Sequence, residues 1–308
     1  MNTPLYKIDS DKNEIYIKRD DLYPYSFGGN KARKGNLFFK DIVRKNSDCV
    51  VTYGSSSSNH VRIIANKCCE LKLPCYIISP SENSKKTFNS MMYSLFGAKV
   101  IKTSIEKVAE TIDITLDKLK SKGYKPYFIQ GGGHGNLGTQ AYVDCYKEIL
   151  DYENKNNIKF DYIFHASGTG TTQAGLICGK LLNKDKKEIV GISIARNNPR
   201  GRDIVCQSVK DYLLEKKIEF TDKKIDKEVV FIDEYIVSGY ASYNKEIVDC
   251  IKKSMKNFGI SMDTTYVGKA YNGMNKYIKE KDIENKNILF IHTGGAPLFF
   301  DDLEELNG

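Results

Sequence analysis

The sequence is organised around one short stretch, Gly28-Gly29-Asn30-Lys31-Ala32-Arg33-Lys34. It follows an extended run at residues 15–21 and precedes a helix-like run that begins near Gly35. Two adjacent glycines allow a sharp turn or a close approach to a ligand, because neither carries a Cβ atom. A lysine at such a turn is either a hydrated surface charge or a desolvated amine that can react with an aldehyde. The stretch alone leaves both interpretations of Lys31 open.

Strand-like and helix-like runs alternate along the chain. Helical periodicity is clear at residues 61–73 and 139–150, and the strand-like runs lie at 49–53, 75–79, 99–102, 127–130, 162–165, 189–195 and 288–292. Continuous apolar strands separated by helices predict an α/β fold with parallel sheets covered on both faces. The polar stretch 151–159 is interpreted as a crossing point between two lobes. A second polar stretch, 215–228, predicts a surface loop.

Composition narrows the class of protein. The 308 residues, 41% of them hydrophobic and 28% charged, indicate a globular protein of one large or two ordinary domains. The net charge of +8 is scattered rather than concentrated among aromatic residues, which argues against nucleic-acid binding. The longest apolar runs fall far short of the roughly 20 residues of a membrane helix, and Met1-Asn2-Thr3-Pro4 does not begin a signal peptide. We therefore expect a cytoplasmic protein without a membrane partner.

A metal site is not expected. The eight cysteines contain no Cys-x-x-Cys pair, and Cys68 and Cys69 are simply adjacent. The four histidines lie far apart, and none has metal-ligand spacing with a cysteine or another histidine. Most of the cysteines sit in apolar runs, where a free thiol behaves as a small hydrophobic group.

Two loops have the pattern of an anion site. The first is a hydroxyl-rich loop that follows a strand and leads into a helix, Ser55-Ser56-Ser57-Ser58-Asn59-His60. The second again joins a strand to a helix, Ser167-Gly168-Thr169-Gly170-Thr171-Thr172. Free backbone N–H groups at a helix start attract a carboxylate or a phosphate. The second loop lacks the Gly-Lys-Ser/Thr ending of a nucleotide P-loop, so its cation must come from elsewhere, and Lys34 is a candidate.

A third loop, residues 133–138, matches the Gly-x-Gly-x-x-Gly pattern of dinucleotide-binding proteins. Such a unit needs a second strand that ends in an acidic residue about 20 positions further on. Asp161 begins a strand rather than ending one. A nicotinamide-dependent oxidoreductase is therefore kept only as a remote alternative.

Taken together, these pieces resemble the pyridoxal-phosphate enzymes of the tryptophan-synthase-β type (fold type II). The closest group is the D-cysteine desulfhydrase and 1-aminocyclopropane-1-carboxylate deaminase family. The resemblance spans residues 17–297, and its most specific motifs are Lys18-Arg19-Asp20-Asp21, the stretch at 28–34, and Ser58-Asn59-His60-Val61-Arg62. It implies a homodimer whose protomer has two domains: residues 1–38 with 152–308 hold the cofactor, and 39–151 form a small domain with the serine and asparagine loop.

The resemblance also implies roles for individual residues. Lys31 would be the Schiff-base lysine and would move protons at the substrate α-carbon. Ser58 would take part in proton transfer and, with the N–H groups around His60, bind the substrate carboxylate, while Asn59 would bond the phenolic oxygen of the cofactor. Tyr240 and Tyr266 match two active-site tyrosines. The cofactor phosphate would be held by Lys34, Thr169, Gly170, Thr171 and Thr172.

The group at the cofactor ring nitrogen separates the subgroups of this family. Members that open the cyclopropane ring have a glutamate directly after the second tyrosine, and this chain has Val267 there. The resemblance then makes Thr293, a neutral hydroxyl, the ring-nitrogen partner. This favours β-elimination, most readily of D-cysteine to pyruvate, ammonia and hydrogen sulfide. Cyclopropane deamination and elimination or replacement on another β-substituted amino acid stay open.

The sequence departs from the family pattern in two loops. Ser55-Ser56-Ser57 is more polar than the family leads us to expect, and Gln130-Gly131-Gly132-Gly133 replaces a more apolar, proline-containing turn. Both loops are candidates for lining the substrate side chain. A polar or charged β-substituent is a hypothesis consistent with them.

Overall fold

Two sheets form the framework of the protein, which a computed structural model describes over residues 2–82 and 85–307. The strands are β1 (Leu5–Ser10), β2 (Glu14–Arg19), β3 (Cys49–Tyr53), β4 (Cys75–Pro80), β5 (Lys99–Thr103), β6 (Pro126–Ile129), β7 (Tyr162–Ser167), β8 (Glu188–Ser193), β9 (Val230–Ile232) and β10 (Asn287–His292). The helices are α1 (Asn30–Arg44), α2 (Asn59–Glu70), α3 (Phe88–Leu95), α4 (Val108–Ser121), α5 (Asn136–Asn156), α6 (Thr171–Leu182), α7 (Arg200–Glu215), α8 (Asp222–Glu228), α9 (Lys245–Phe258), α10 (Val267–Glu280), α11 (Ala296–Asp301) and α12 (Leu303–Asn307).

Parallel pairing dominates both sheets. The larger sheet has the order β1-β2-β10-β7-β8-β9, in which only the β1–β2 pair is antiparallel among the described strands. The smaller sheet has the order β5-β4-β3-β6 and is parallel throughout. Each of the seven strands predicted from the sequence is present, with small differences at its ends. The predicted α/β fold with mainly parallel sheets is confirmed.

The polar stretch 215–228 is not a loop throughout. α7 extends to Glu215, and α8 begins at Asp222 after Thr221, whose side chain accepts a hydrogen bond from the N–H of Lys224. The side chain of Ile225 is fully buried and anchors this short helix. One buried residue and one cap are too weak a pattern to predict a helix in a polar stretch.

The polar stretch 151–159, interpreted as a crossing point between two lobes, is helical over most of its length, because α5 runs without a break through residue 151 to Asn156. Its buried Tyr142, Cys145 and Tyr146 pack in the same apolar cluster as Leu176 of α6. A boundary between residues 151 and 152 therefore falls inside a helix. The division into two domains stays a prediction, and we propose that α5 belongs with the larger sheet.

A buried ionic network ties α1 to its neighbours. Asp20 is fully buried and accepts hydrogen bonds from Arg33 at 2.8 Å and from the Tyr142 hydroxyl at 2.7 Å. Arg33 also pairs with Glu148 of α5 at 2.6 Å. Burial alone would raise the pKa of Asp20, but the charges of Arg33 and Lys18 outweigh it and lower the pKa to about 2. The start of α1 is therefore held against both β2 and α5.

The two glycines before α1 are required by the backbone. Gly28 has φ +63°, and the N–H of Gly29 donates to the Asp20 carbonyl at 2.7 Å. The N–H of Asn30 donates to the Thr293 carbonyl at 2.8 Å, which joins this turn to the end of β10. A Cβ atom on residue 28 would lie 1.9 Å from the carbonyl oxygen of Asp21. The turn therefore needs glycine at position 28 for both conformation and space.

Gly28→Ala is expected to lower the free energy of unfolding by about 2–3 kcal/mol, because strain at φ > 0 and a backbone collision act together. Urea denaturation followed by circular dichroism measures this loss. Gly97→Ala is the matched control, since Gly97 has φ +76° and open space around a Cβ atom. We expect the control to lose about 1 kcal/mol, and equal losses in the two variants would contradict the collision.

A helix that crosses a bilayer needs about 20 mostly apolar residues. Within the described ranges, no helix is both long enough and apolar enough to cross a membrane.

Candidate active site

A cavity of about 260 Å³ opens where the carboxyl ends of the parallel strands of both sheets meet. Its wall contains residues that directly follow β3, β6, β7, β8 and β10, the usual position of a site in a parallel α/β sheet. The sequence-predicted residues that line it are Lys31, Ser58, Asn59, His60, Thr169, Gly170, Thr172, Tyr240, Tyr266 and Thr293. Residues from six separate parts of the chain are thus brought together.

Lys31 lies in the first turn of α1 and reaches into the cavity. Its ammonium group donates a hydrogen bond to the Gly132 carbonyl at 2.9 Å. Burial, together with the positive charge of Arg196, lowers the pKa of Lys31 to about 8. A fraction of this lysine is therefore a free amine near neutral pH, which is the form that attacks an aldehyde.

The amino terminus of α6 forms an anion cradle on the same cavity. Gly170 has φ +92° and precedes the helix, and the first N–H groups of a helix have no partner within it. The Thr172 hydroxyl accepts a hydrogen bond from the Asn30 side chain at 3.2 Å. Helix N–H groups and hydroxyls arranged in this way favour a phosphate.

Lys34 and Thr171 contact each other rather than line the cavity. The Lys34 ammonium donates to the Thr171 hydroxyl at 2.7 Å and is almost fully buried. Burial, and secondarily the charge of Lys31, lowers the pKa of Lys34 well below its usual value. Lys34 thus lies at the start of α6 without facing the open space, and the cation that the sequence placed at this cradle is held there through Thr171.

The amino terminus of α2 is the second anion-binding helix start. The Ser58 side chain accepts from the N–H of Val61 and caps the helix. Asn59 accepts from Asn89 through Oδ1 at 3.0 Å, so its amide nitrogen is the group that can donate into the cavity. Ser58 thus uses its hydroxyl oxygen to cap the helix, whereas Asn59 uses its side-chain oxygen for structure and keeps its amide nitrogen for a ligand.

His60 is held in one tautomer. Thr52 donates its hydroxyl proton to the Ile129 carbonyl at 2.8 Å, so its oxygen accepts from His60 Nε2 at 2.9 Å. Burial and the charges of Lys31 and Lys34 lower the pKa of His60 well below its usual value. His60 is therefore neutral, with the proton on Nε2 and an acceptor at Nδ1.

The two tyrosines expected at the site are paired. The hydroxyls of Tyr240 and Tyr266 lie 2.7 Å apart, and burial raises the pKa of Tyr266 well above its usual value, as does Tyr240. The loop that carries Tyr240 is fixed by the buried Lys269, which donates to the carbonyls of Ile194, Ile236 and Gly239 at 3.2, 3.0 and 2.8 Å. Lys269 lies in a stretch that the sequence analysis left without a role.

Thr293, the predicted ring-nitrogen partner, and Val267 have different surroundings. Thr293 lines the cavity, whereas Val267 is fully buried in an apolar cluster with Ile251 and Ala270. Asp263 caps α10 by accepting from the N–H groups of residues 265–267. Its role at the helix start is structural, and the neutral hydroxyl of Thr293 is the side chain that meets the cavity.

Among the lining residues that were not predicted from the sequence are two with large polar side chains, Tyr53 at the end of β3 and Arg196 after β8. A Cβ atom on Gly131 would lie 2.6 Å from the Tyr53 ring, so the glycine-rich turn makes room for that ring. Of the two loops that depart from the family pattern, Ser55, Gly131 and Gly132 reach the cavity.

The Gly-x-Gly-x-x-Gly pattern at 133–138 has another explanation. The loop closes onto itself, since a Cβ atom on Gly138 would lie 2.0 Å from the Gly133 carbonyl oxygen. The next strand, β7, ends at Ser167 rather than at an acidic residue. The glycines therefore serve the tight start of α5.

Comparisons with known proteins agree with this geometry. Residues 1–294 match the family described as pyridoxal-phosphate dependent enzyme. The chain is 31% identical over 312 residues to a D-cysteine desulfhydrase of Serratia proteamaculans, covering 97% of this chain and 92% of that protein. A D-cysteine desulfhydrase of Yersinia pestis is 32% identical over 310 residues, covering 97% and 92%.

The fold is also similar to those of solved structures of related proteins. An ACC deaminase homologue superposes with a TM-score of 0.88 at 28% identity, covering all of this chain and 93% of the other. A pyridoxal 5'-phosphate-dependent aspartate racemase shares the fold, with a TM-score of 0.68 at 16% identity, covering 99% and 92%. With a family match over nearly the whole chain and a cavity that brings a buried lysine of lowered pKa together with two helix amino termini, this chain belongs to the pyridoxal-phosphate-dependent enzymes.

Proposed function

We propose that the protein is a pyridoxal-phosphate-dependent lyase that eliminates the β-substituent of a small amino acid, with D-cysteine as the leading substrate. The observation that carries the proposal is the single cavity shared by Lys31, the α6 cradle and the α2 helix start. Relatives described as D-cysteine desulfhydrases over nearly the full length support the choice of reaction.

The residues at the cavity fit the cofactor. An aldehyde cofactor with a phosphate needs an amine, an anion cradle and a group at its ring nitrogen, and it supplies an electron sink for carbon chemistry. Lys31 offers the amine, the start of α6 with Thr169, Gly170 and Thr172 offers the cradle, and Lys34 supports it through Thr171. Thr293 is the proposed partner of the ring nitrogen, and Asn59 of the phenolic oxygen.

The chain's own groups account for substrate binding and proton movement. The free N–H groups at the start of α2 would bind the α-carboxylate, with Ser58 beside them. Lys31 would move the proton at the α-carbon, because its lowered pKa lets it both release and accept a proton near neutral pH. The Tyr240–Tyr266 hydroxyl pair would hold or transfer a proton at the leaving group.

The neutral Thr293 argues for elimination over cyclopropane opening. A carboxylate at the ring nitrogen would keep it protonated and make it a strong electron sink, whereas a hydroxyl leaves it neutral. Elimination of a good leaving group requires less stabilisation of the negative charge that develops at the α-carbon. Deamination of 1-aminocyclopropane-1-carboxylate is the second candidate, favoured by the structural likeness to an ACC deaminase homologue.

The function is tested by incubating the purified, cofactor-loaded protein with D- and L-amino acids that carry different β-substituents. We expect pyruvate and sulfide from D-cysteine. Formation of 2-oxobutyrate from 1-aminocyclopropane-1-carboxylate would overturn the argument from Thr293 and Val267. Absence of turnover with every member of the panel would refute the lyase.

The pKa of Lys31 predicts the pH dependence of cofactor capture. The free amine reacts, so the rate at which cofactor-free protein binds pyridoxal phosphate should rise with pH and level off above about 8, the pKa of Lys31. Stopped-flow absorbance between pH 6 and about 9.5 measures this profile. A profile that still climbs steeply at about pH 9.5, as expected for an ordinary lysine, would contradict the lowered pKa.

We also propose that the protein is a cytoplasmic homodimer. Exposed apolar side chains on neighbouring helices, Phe88 and Leu95 of α3 and Phe300 of α11, support a protein contact there. The cysteines, which are free in the described residues, suit a reducing compartment. Light scattering after size exclusion tests the dimer, and a mass of one chain would reject it.

A further inference from the structure

Arg196 is a cation on the cavity wall without a counterion. It follows β8, is only partly exposed, and lines the same cavity as Lys31. Its Nη1 donates to the Gly168 carbonyl at 2.7 Å, and across the described ranges its guanidinium makes no ion pair and no other hydrogen bond. Burial and the positive charge of Arg200 both lower the pKa of Arg196.

An unpaired, partly buried guanidinium is costly unless it meets an anion. Among the described residues that line the cavity there is no aspartate or glutamate, so this part of the chain provides no such partner there. Guanidinium groups bind oxyanions such as carboxylates and phosphates through two parallel N–H bonds. The remaining donors of Arg196 therefore point to an anionic ligand.

The two anionic groups already expected in this cavity have their own binding groups. The cofactor phosphate has the start of α6, with Lys34 behind Thr171, and the substrate carboxylate has the start of α2. Arg196 contacts Gly168 at the edge of the α6 cradle, and it also interacts electrostatically with Tyr53, which adjoins the serine loop that departs from the family pattern. The guanidinium of Arg196 is therefore left for a third anionic group, one carried by the substrate side chain.

On the basis of the proposed lyase function, we propose that Arg196 and Tyr53 form a subsite for an oxyanionic substituent on the β-carbon of the substrate. The substituent is a sulfonate, a sulfate ester or a phosphate ester. The α-proton leaves first, the bond from the β-carbon to the substituent then breaks, and its electron pair departs with the anion. Water completes the conversion to pyruvate and ammonia, so no oxidant or reductant is needed.

The test compares kcat/KM for 3-sulfoalanine and O-phosphoserine with that for 3-chloroalanine, whose β-substituent is neutral, using whichever enantiomer the protein accepts. We expect the wild-type protein to favour an oxyanionic substrate by at least about tenfold. Arg196→Gln should lower kcat/KM for the oxyanionic substrates by about 30- to 100-fold, mainly through KM, and that for 3-chloroalanine by less than about threefold. Arg196→Lys should give an intermediate loss, because it keeps the charge but not the paired donors.

Arg200→Gln is the matched control, because Arg200 is a nearby exposed arginine that does not line the cavity. It should leave every kinetic constant within about twofold of wild type, as surface substitutions usually do. A second readout does not depend on turnover: calorimetry should show that 3-sulfopropanoate binds wild type and binds Arg196→Gln at least about tenfold more weakly. Butanoate should not distinguish the two proteins.

Three results would overturn the subsite. Weakened pyridoxal-phosphate binding in Arg196→Gln would assign the guanidinium to the cofactor phosphate. Equal losses of kcat/KM for charged and neutral substrates in Arg196→Gln would mean that Arg196 has only a structural role. A wild-type protein that eliminates 3-chloroalanine or D-cysteine but not the oxyanionic compounds would reject the subsite and leave the lyase function standing, whereas no turnover with any substrate would reject the function itself.

Discussion

Lys31→Ala is expected to abolish the visible absorption of the bound cofactor and to reduce turnover by at least about 10³-fold. The protein would lose the amine that binds the aldehyde and the group proposed to move the α-proton, and loss of a general acid–base group alone costs about 10²–10⁴-fold. Phosphate contacts at the start of α6 would remain, so pyridoxal phosphate should still bind, weakly and reversibly. An absorption scan, equilibrium dialysis with pyridoxal phosphate and a 2-oxoacid assay measure the three quantities.

Lys40→Ala provides the matched control, because Lys40 lies on the same helix, α1, with its side chain exposed. Its absorption and turnover should equal those of wild type. A Lys31→Ala protein that kept its visible band would require a different lysine at the aldehyde. Lys34 and Lys269, both buried near the cavity with lowered pKa values, would then be the alternatives to test.

The fold was largely predictable because its signal is local. Apolar strands such as β3 and β7 are buried on both faces, and that burial leaves an uninterrupted hydrophobic run in the sequence. β1 and β9 were missed for the opposite reason. β1 is mostly exposed at the edge of the larger sheet, and β9 has only three residues.

The sequence predicted the site residues that belong to glycine- and hydroxyl-rich loops, but it did not predict every other residue that lines the cavity. Lys31, Ser58 and Thr169 belong to loops whose glycines and hydroxyls form recognisable patterns, and all three line the cavity. Arg196 has no such pattern. The role of a single arginine after a strand can be inferred only once the fold shows that it is partly buried and that no carboxylate of the described residues lines its cavity.

Val267 shows that a residue's place in the sequence does not by itself predict where its side chain lies. The resemblance placed it where the cyclopropane-opening members have a glutamate, and its side chain packs into the core while Thr293 faces the cavity. The preference for a neutral ring-nitrogen partner therefore depends on Thr293 at the cavity and on the absence of a carboxylate at position 267. Adjacent residues at the start of a helix point in different directions, so position next to a site residue does not place a side chain in the site.

Asp20→Ala is expected to lower the free energy of unfolding by about 3–5 kcal/mol at neutral pH, because it removes one partner of a buried ion pair. Arg33 would keep Glu148, but the hydroxyls of Thr3 and Tyr142 would lose their acceptor in the interior. Urea denaturation of the cofactor-free protein measures the loss without a contribution from ligand binding. Asp249→Ala, which breaks the exposed Lys245–Asp249 pair on α9, should change stability by less than about 1 kcal/mol.

The pH dependence of this loss separates the ion pair from simple packing. The pKa of Asp20 is about 2 in the folded protein and about 3.9 in an unfolded chain. Because the folded value is the lower one, the stabilisation is complete above the unfolded pKa and disappears as the pH falls through the folded one. The gap between wild type and Asp20→Ala should therefore be constant from pH 5 to about 7 and narrow toward pH 2. A gap that stayed the same at acid pH would mean that the carboxylate acts by filling space, and α1 would then be held at the cavity by packing rather than by charge.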